Sequence, residues 1–405
     1  MTCNKNINGK KSHRLEITER STKGVILEGM NLCQRHNDSI KRLASNSSGG
    51  AAPFDLDAAW ADIQQTCAAN AGKSFTESVS TIPITVEGQY PTGSAVLAPG
   101  GIIYMIPYMH TKIVKLDTNT DTITQISVNL GNSSLRKYSG AALAPNGYIY
   151  AVPSYAGNVL KINPRDDSYT TIGSLGTTSY IKYFAAIAAP NGCVYGIPSK
   201  ADKVLKIDPI TDAISFLPPA FSIASDGNWQ GASLSRNGCI YGIPRSYNGY
   251  LKIDPSNDVV TTFGTYRGSN QPWTCCSLAP NGHIYGVNHS VKSTLKIDTQ
   301  TDTASTFGNG WITRYGSVLA PNGYIYGVPR DTNYIAKINP ANDSVLTAIY
   351  SATKNYANAI LAPNGYIYAF PNGPGNVNIL KIDPGVNVCQ NFKESTLLSP
   401  YLNKY

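Results

Sequence analysis

The chain predicts an all-β fold: a seven-bladed β-propeller of four-stranded antiparallel blades, preceded by a basic arm and one short helix. Three observations carry this. A unit built on Leu-Ala-Pro-Asn-Gly-Tyr-Ile-Tyr recurs seven times. Its turn glycines, Gly101, Gly147, Gly192, Gly238, Gly282, Gly323 and Gly365, stand 46, 45, 46, 44, 41 and 42 residues apart. Composition agrees, with only 14% charged residues but 36 Gly, 25 Pro and 26 Tyr, which suits short strands and tight turns over helices.

Each unit supplies four strands. Strand A is a small, apolar run such as Gly140 to Ala144, and Pro-Asn-Gly turns the chain, because Pro fixes φ while Asn and Gly tolerate positive values. Strand B is Tyr-Ile-Tyr-Gly-Val, aromatic and β-branched, and it stops at a proline. Strand C is Val-Leu-Lys-Ile-Asp, and a Pro-x-x-Asp turn leads into strand D, as in Val259 to Phe263. Four short strands at this period describe a propeller blade. Two segments compete for the place of the last strand D, Thr81 to Val86 before the first unit and Asn387 to Phe392 after the last. Either one covers an edge that would otherwise be open.

The repeat resembles YVTN-type and NHL-type propeller repeats, and the propeller of virginiamycin B lyase-type proteins, over roughly residues 80–392. The shared motifs concern architecture. The lyase resemblance implies a metal held by acids or His beside a His acid/base. No such set can be matched here residue by residue: the D–A loops offer few acids, Glu87 and Asp226, and His110 and His289 lie in B–C loops of non-adjacent units. Phosphate loops, zinc spacings and nucleophile elbows are missing, so no motif asks for a cofactor or metal. The formal charge of +8 over 405 residues, much of it on a tail, argues weakly for nucleic acid.

The chain divides into a basic arm and Ser/Gly linker (1–50), a helix and connector (51–79), the propeller (80–392) and a tail (393–405). Nine Lys or Arg against four acids fall within residues 1–50. This arm is either a solvated tail or a segment that orders on a neighbouring subunit. Leu56, Ala59, Trp60, Ile63 and Cys67 share one helical face, so Trp60 is expected to dock on the propeller or on another chain. No apolar run approaches the roughly 18 residues of a membrane span, and no apolar segment follows the polar Met1 to Lys11 stretch. The eight cysteines form no metal or disulfide pattern. Together these suggest a reducing compartment, cytoplasmic or packaged into a particle such as a virion.

Residues shared by all units serve the fold, so function is sought where units differ, in the D–A and B–C loops. Nine residues before the turn glycine stand Tyr138, Tyr183, Trp229, Trp273 and Tyr356, with Arg314 beside Tyr315 in unit six. Two readings remain open: a recognition arc for a protein or glycan at the channel mouth, or wedges between inner strands. The functional expectation is a non-enzymatic recognition or assembly propeller tethered by its arm. The alternative is a small-molecule lyase or hydrolase using His110 or His289.

Overall fold

The structure, a computed structural model, describes residues 56–70, 73, 75–84, 93–130, 136–266, 272–308, 314–350, 353–372 and 377–385. The arm 1–50, the tail 393–405 and the segment 387–392 lie outside these. Seven four-stranded antiparallel sheets form the ring. Blade two is typical, with strands Tyr138–Leu143, Ile149–Pro153, Val159–Ile162 and Tyr169–Ile172 running from channel to rim. Inner strands of successive blades touch all the way round, and that of blade seven, Tyr356–Leu361, meets that of blade one, Ser94–Ala98. The approach is close: a Cβ on Gly140 would lie 2.5 Å from Ala185 Cα, and one on Gly316 would lie 2.7 Å from the Asn358 amide nitrogen. Only glycine fits there.

The competition for the last outer strand is settled by pairing. Ser78–Pro83 runs antiparallel to Asn378–Asp383 and completes blade seven, three residues earlier than the Thr81 to Val86 register expected. The first and last of the described strands therefore share one blade, and the ring cannot open without unpairing them.

A repeated polar stitch joins each blade to the next. The acid that ends each C–D turn sits in left-handed backbone, at φ between 52° and 61° for Asp121, Asp167, Asp212, Asp258, Asp302 and Asp343. Asp is among the few side chains that tolerate this region. Each carboxylate accepts from the strand C lysine of the preceding blade, in the pairs Lys115–Asp167, Lys161–Asp212, Lys206–Asp258, Lys252–Asp302, Lys296–Asp343 and Lys381–Asp121, at 2.5–2.6 Å. It also accepts from the strand B tyrosine hydroxyl of that blade, as in Tyr195 to Asp258 at 2.7 Å. In six units the turn asparagine donates in its turn to that hydroxyl and to a carbonyl of the next blade. Asn146, for example, reaches Tyr150 Oη at 2.9 Å and the Pro209 carbonyl at 2.7 Å. The seventh acid is Glu77, just ahead of the closing strand, which takes Lys337 at 2.5 Å and the Tyr326 hydroxyl at 2.7 Å.

The acid that ends strand C has a separate, local role. Asp117, Asp208, Asp254 and Asp298 each accept the backbone N–H two residues on, at 2.8–3.0 Å.

The helix Leu56–Asn70 lies across the Pro-Asn-Gly turn face. Trp60 is 2% exposed and joins the core of blades four and five with Cys239, Leu278 and Ile284. Gln64 donates to the Pro280 carbonyl at 3.2 Å and Asn70 to the Pro321 carbonyl at 3.0 Å. Of the two destinations expected for Trp60, the helix takes the ring of its own chain. The described cysteines, Cys67, Cys193, Cys239, Cys275 and Cys276, are free thiols. No helix among the described residues is long and apolar enough to cross a membrane.

Asp258 makes the stitch testable by pH. Burial would raise its carboxyl, but the hydrogen bonds of Lys206 and Tyr195 and the lysine charge outweigh it and hold the group below the usual carboxylate value. A depressed folded value stabilises above the unfolded pKa, about 3.9, and that stabilisation is lost as pH falls through the folded value. Asp258→Asn keeps the left-handed turn and loses the charge. It should lower the urea midpoint at pH 7 and lower it much less near pH 3.

Candidate functional site at the channel mouth

The face opposite the helix is built from D–A and B–C loops that zip together through the backbone. Ser154 N–H donates to the Lys137 carbonyl at 2.8 Å, Ser199 to Lys182 at 2.8 Å and Arg245 to Asn228 at 2.9 Å. Two lysines lock adjacent blades from beneath. Lys137 Nζ donates to the His110 carbonyl at 3.0 Å, and Lys182 Nζ to the carbonyls of Ala156 at 2.6 Å and Gly176 at 2.8 Å. Burial lowers the Lys182 amine to about 8.

Most of the expected aromatic arc lies below this surface. Tyr138, Tyr183, Trp229, Trp273 and Tyr356 are all 3% exposed or less. Their polar atoms turn inward: Tyr138 donates to Asn158 Oδ1 at 2.6 Å, Trp229 Nε1 to the Gly249 carbonyl at 3.0 Å and Trp273 Nε1 to the Ser293 carbonyl at 2.9 Å. Trp229 packs on Phe221 and Tyr247 with centroids 4.8 and 4.6 Å away. These rings have the wedging role. A bulge with one extra residue follows the start of strand A in blades two to seven, re-aiming the side chains there. Arg314 begins strand A of blade six, opposite Pro329, and its side chain lies outside the description.

The neighbouring register reaches the channel. Tyr315 is half-buried, and its hydroxyl accepts from Gln230 Nε2 at 2.7 Å, a bond between blades six and four. Such a bond can form only through the channel. Gln230 Oε1 in turn accepts from Arg245 Nη1 at 3.2 Å, and the Arg330 guanidinium lies 4.1 Å over the Tyr315 ring. Arg136, exposed on blade two, lies 5.8 Å from the Tyr108 ring of blade one. Burial raises the Tyr108 phenol. Arg136 and Arg245 oppose that rise while Tyr315 and Tyr155 add to it, so groups from three other blades act on this hydroxyl. His289 meets Tyr315 edge to face at 5.6 Å.

The site is thus a cationic, aromatic mouth. Three guanidiniums gather there, and Asp331 at 4.0 Å from Arg330 is the one carboxylate within ion-pair distance of them among the described residues. Such a cluster can clamp an oxyanion through paired N–H donors, while tyrosine faces cover an apolar body. The described residues hold no group of three or more His, Cys, Asp or Glu placed for a metal.

The two histidines separate. His110 is buried, with Nδ1 accepting the Lys112 N–H at 3.0 Å inside its own loop. His289 alone of the pair stands beside Tyr315 in the mouth. Sequence reasoning missed Tyr108, Arg245 and Arg330, although each directly follows the strand B proline at a position where units differ.

Trp229→Ala should leave the channel mouth chemically unaltered and cost about 3–5 kcal/mol of stability. Calorimetry should show a melting point lowered by several degrees, and an unchanged melting point would show that the ring is not a wedge.

No family model matches the chain, and no curated protein matches it. Solved structures do. A catalytically inactive variant of virginiamycin B lyase from Staphylococcus aureus, with quinupristin, aligns at TM-score 0.64 and 12% identity, over 76% of this chain and 99% of that one. A chain of the mitotic checkpoint complex aligns at 0.59 and 8% identity, over 77% and 94%. The Cps50 (Swd1) β-propeller domain from Myceliophteria thermophila aligns at 0.53 and 10%, over 76% and 100%. At these identities the likeness is one of fold: the chain is a seven-bladed propeller similar to a lyase, to a chain of the mitotic checkpoint complex and to another β-propeller domain.

Proposed function

We propose that this chain is a recognition propeller that binds its partner at the loop-face mouth. The observation that carries the reading is the Arg245–Gln230–Tyr315–Arg330 chain, which brings two guanidiniums and a half-exposed ring to the channel axis from blades four and six. Polar and aromatic groups in this mixture recur at binding hot spots. Of the aromatic arc, Tyr315 is the member that contacts the ligand. The opposite face is committed to the helix Leu56–Asn70 and the turn asparagines, so the loop face is the one left for a partner. The basic residues of the 1–50 segment tether the ring to a larger assembly, such as a particle surface. The likeness to a chain of the mitotic checkpoint complex supports an assembly role.

A second reading has one observation in its favour. His289 lies beside Tyr315 and near Arg330, and a lyase shares the fold. There the imidazole would move a proton while a guanidinium stabilised developing oxyanion charge.

Glycan and protein arrays probed with the full chain, Gln230→Ala and Ile210→Glu test the reading. Ile210 is 85% exposed on a C–D turn of the opposite face. Signals kept by Ile210→Glu and lost by Gln230→Ala are expected. Signals that survive Gln230→Ala contradict loop-face binding, and so does a blank array. Quinupristin incubated with the chain should return with unchanged retention on chromatography, and a new product abolished by His289→Ala would establish the lyase reading instead.

A further inference from the structure

We infer that the mouth takes an acidic saccharide, its carboxylate or sulfate held by Arg245 with Arg136 and Arg330 around it, and its sugar ring laid on Tyr108, Tyr155 or Tyr315. This rests on loop-face recognition and names the ligand class within it.

The charge comes first. Arg245 is half-buried and its Nε, with no solvent contact, has no hydrogen-bond partner. An orphaned donor on a permanent charge is costly to bury, so it calls for an acceptor that completes it. The protein supplies only Gln230 Oε1 to this guanidinium among the described side chains, a neutral oxygen at 3.2 Å. Elsewhere each cation that packs into the fold has its oxygen acceptors in place: the buried Lys137 and Lys182 take backbone carbonyls. Seven strand C lysines each have a carboxylate at 2.5–2.6 Å. Among the described residues Arg245 and Arg136 have no acid within 4.0 Å, and the unfilled Arg245 Nε points to the mouth as a place for an external anion.

The remaining groups select a sugar over a peptide. Tyr108, Tyr155 and Tyr315 are half-buried rings, each with a hydroxyl, and Phe184 adds a face 5.7 Å from the Arg245 guanidinium. Flat rings interleaved with amide and hydroxyl groups suit a pyranose, whose C–H face stacks while its hydroxyls find polar partners. No aliphatic side chain belongs to this set, so the apolar anchor pocket that a peptide side chain would seek is missing from it. Strand addition is also disfavoured, because the inner strands that face the axis already approach one another within the reach of a single Cβ.

Isothermal titration of the full chain with sialyllactose, a sulfated chondroitin disaccharide and lactose gives the test. At least one acidic sugar should bind roughly tenfold or more tightly than lactose, the worth of one charge-assisted contact. Arg245→Met should weaken that binding by roughly tenfold. Because Arg245 also holds Gln230, Arg136→Met is the second variant. Its guanidinium is exposed, so it should lower affinity and its salt dependence with the melting point unchanged. Equal binding of lactose and the acidic sugars would overturn the inference, and so would binding that neither variant alters. If the arrays show a loop-face ligand that is a neutral glycan or a peptide, the acidic sugar is wrong while loop-face recognition stands. If they show none, both fall.

Discussion

One carboxylate per blade junction stitches this ring, in six of the seven an aspartate placed in left-handed backbone at the end of a C–D turn. It accepts a lysine and a tyrosine from the preceding blade, as Asp258 does from Lys206 and Tyr195. The geometry makes it hard to replace. Glycine would satisfy the backbone and lose the bonds, whereas glutamate would carry the charge and strain at positive φ. The pairs are partly exposed, so each alone is worth little. Seven in a closed circle act on the same degree of freedom, the angle between neighbouring blades. Where the stitch leaves the circle of turns, at Glu77, it also recruits the N-terminal segment to close the ring.

This division of labour positions the site. Turn asparagines, strand B tyrosines and strand C lysines are consumed by blade-to-blade bonds on the turn side, and the helix covers part of that side. Loop-side residues are released from repetition. Wedge rings such as Trp229 and Trp273 fill the space between blades below the surface, and the residue next along, Gln230 or Tyr315, reaches the axis. The bulge at the start of strand A is the local device that separates the two roles.

The fold was legible because repetition shows itself without any energy calculation: seven glycine turns at near-constant spacing leave few architectures. The stitch was half legible. Lysine and tyrosine could be read as scaffold, but their acid lies about 50 or 60 residues away in sequence, as Lys115 and Tyr104 do from Asp167. One clue was on the page. The acid recurs four residues after the strand C Asx, and in the last unit that position is Asn387, so a carboxylate from elsewhere was required. The channel residues were less legible, since a bulge changes which side chain points inward and periodicity alone cannot show it. Tyr138 and Trp273 therefore stood in the sequence reading where Tyr108 and Arg245 stand in the molecule.

Bonds across blades, closed by Glu77, define the ring. Lys337 and Glu77 form the most buried of the seven pairs, each side chain 14% exposed, and they join blade six to the closing strand. A double-mutant cycle with Glu77→Gln, Lys337→Met and the pair, read as urea stability, measures their coupling directly. A favourable coupling of about 1–3 kcal/mol is expected, the two single losses summing to more than the loss in the double variant. Additive losses, with coupling near zero, would show that the ring is held by packing of its inner strands and that the stitch only decorates it.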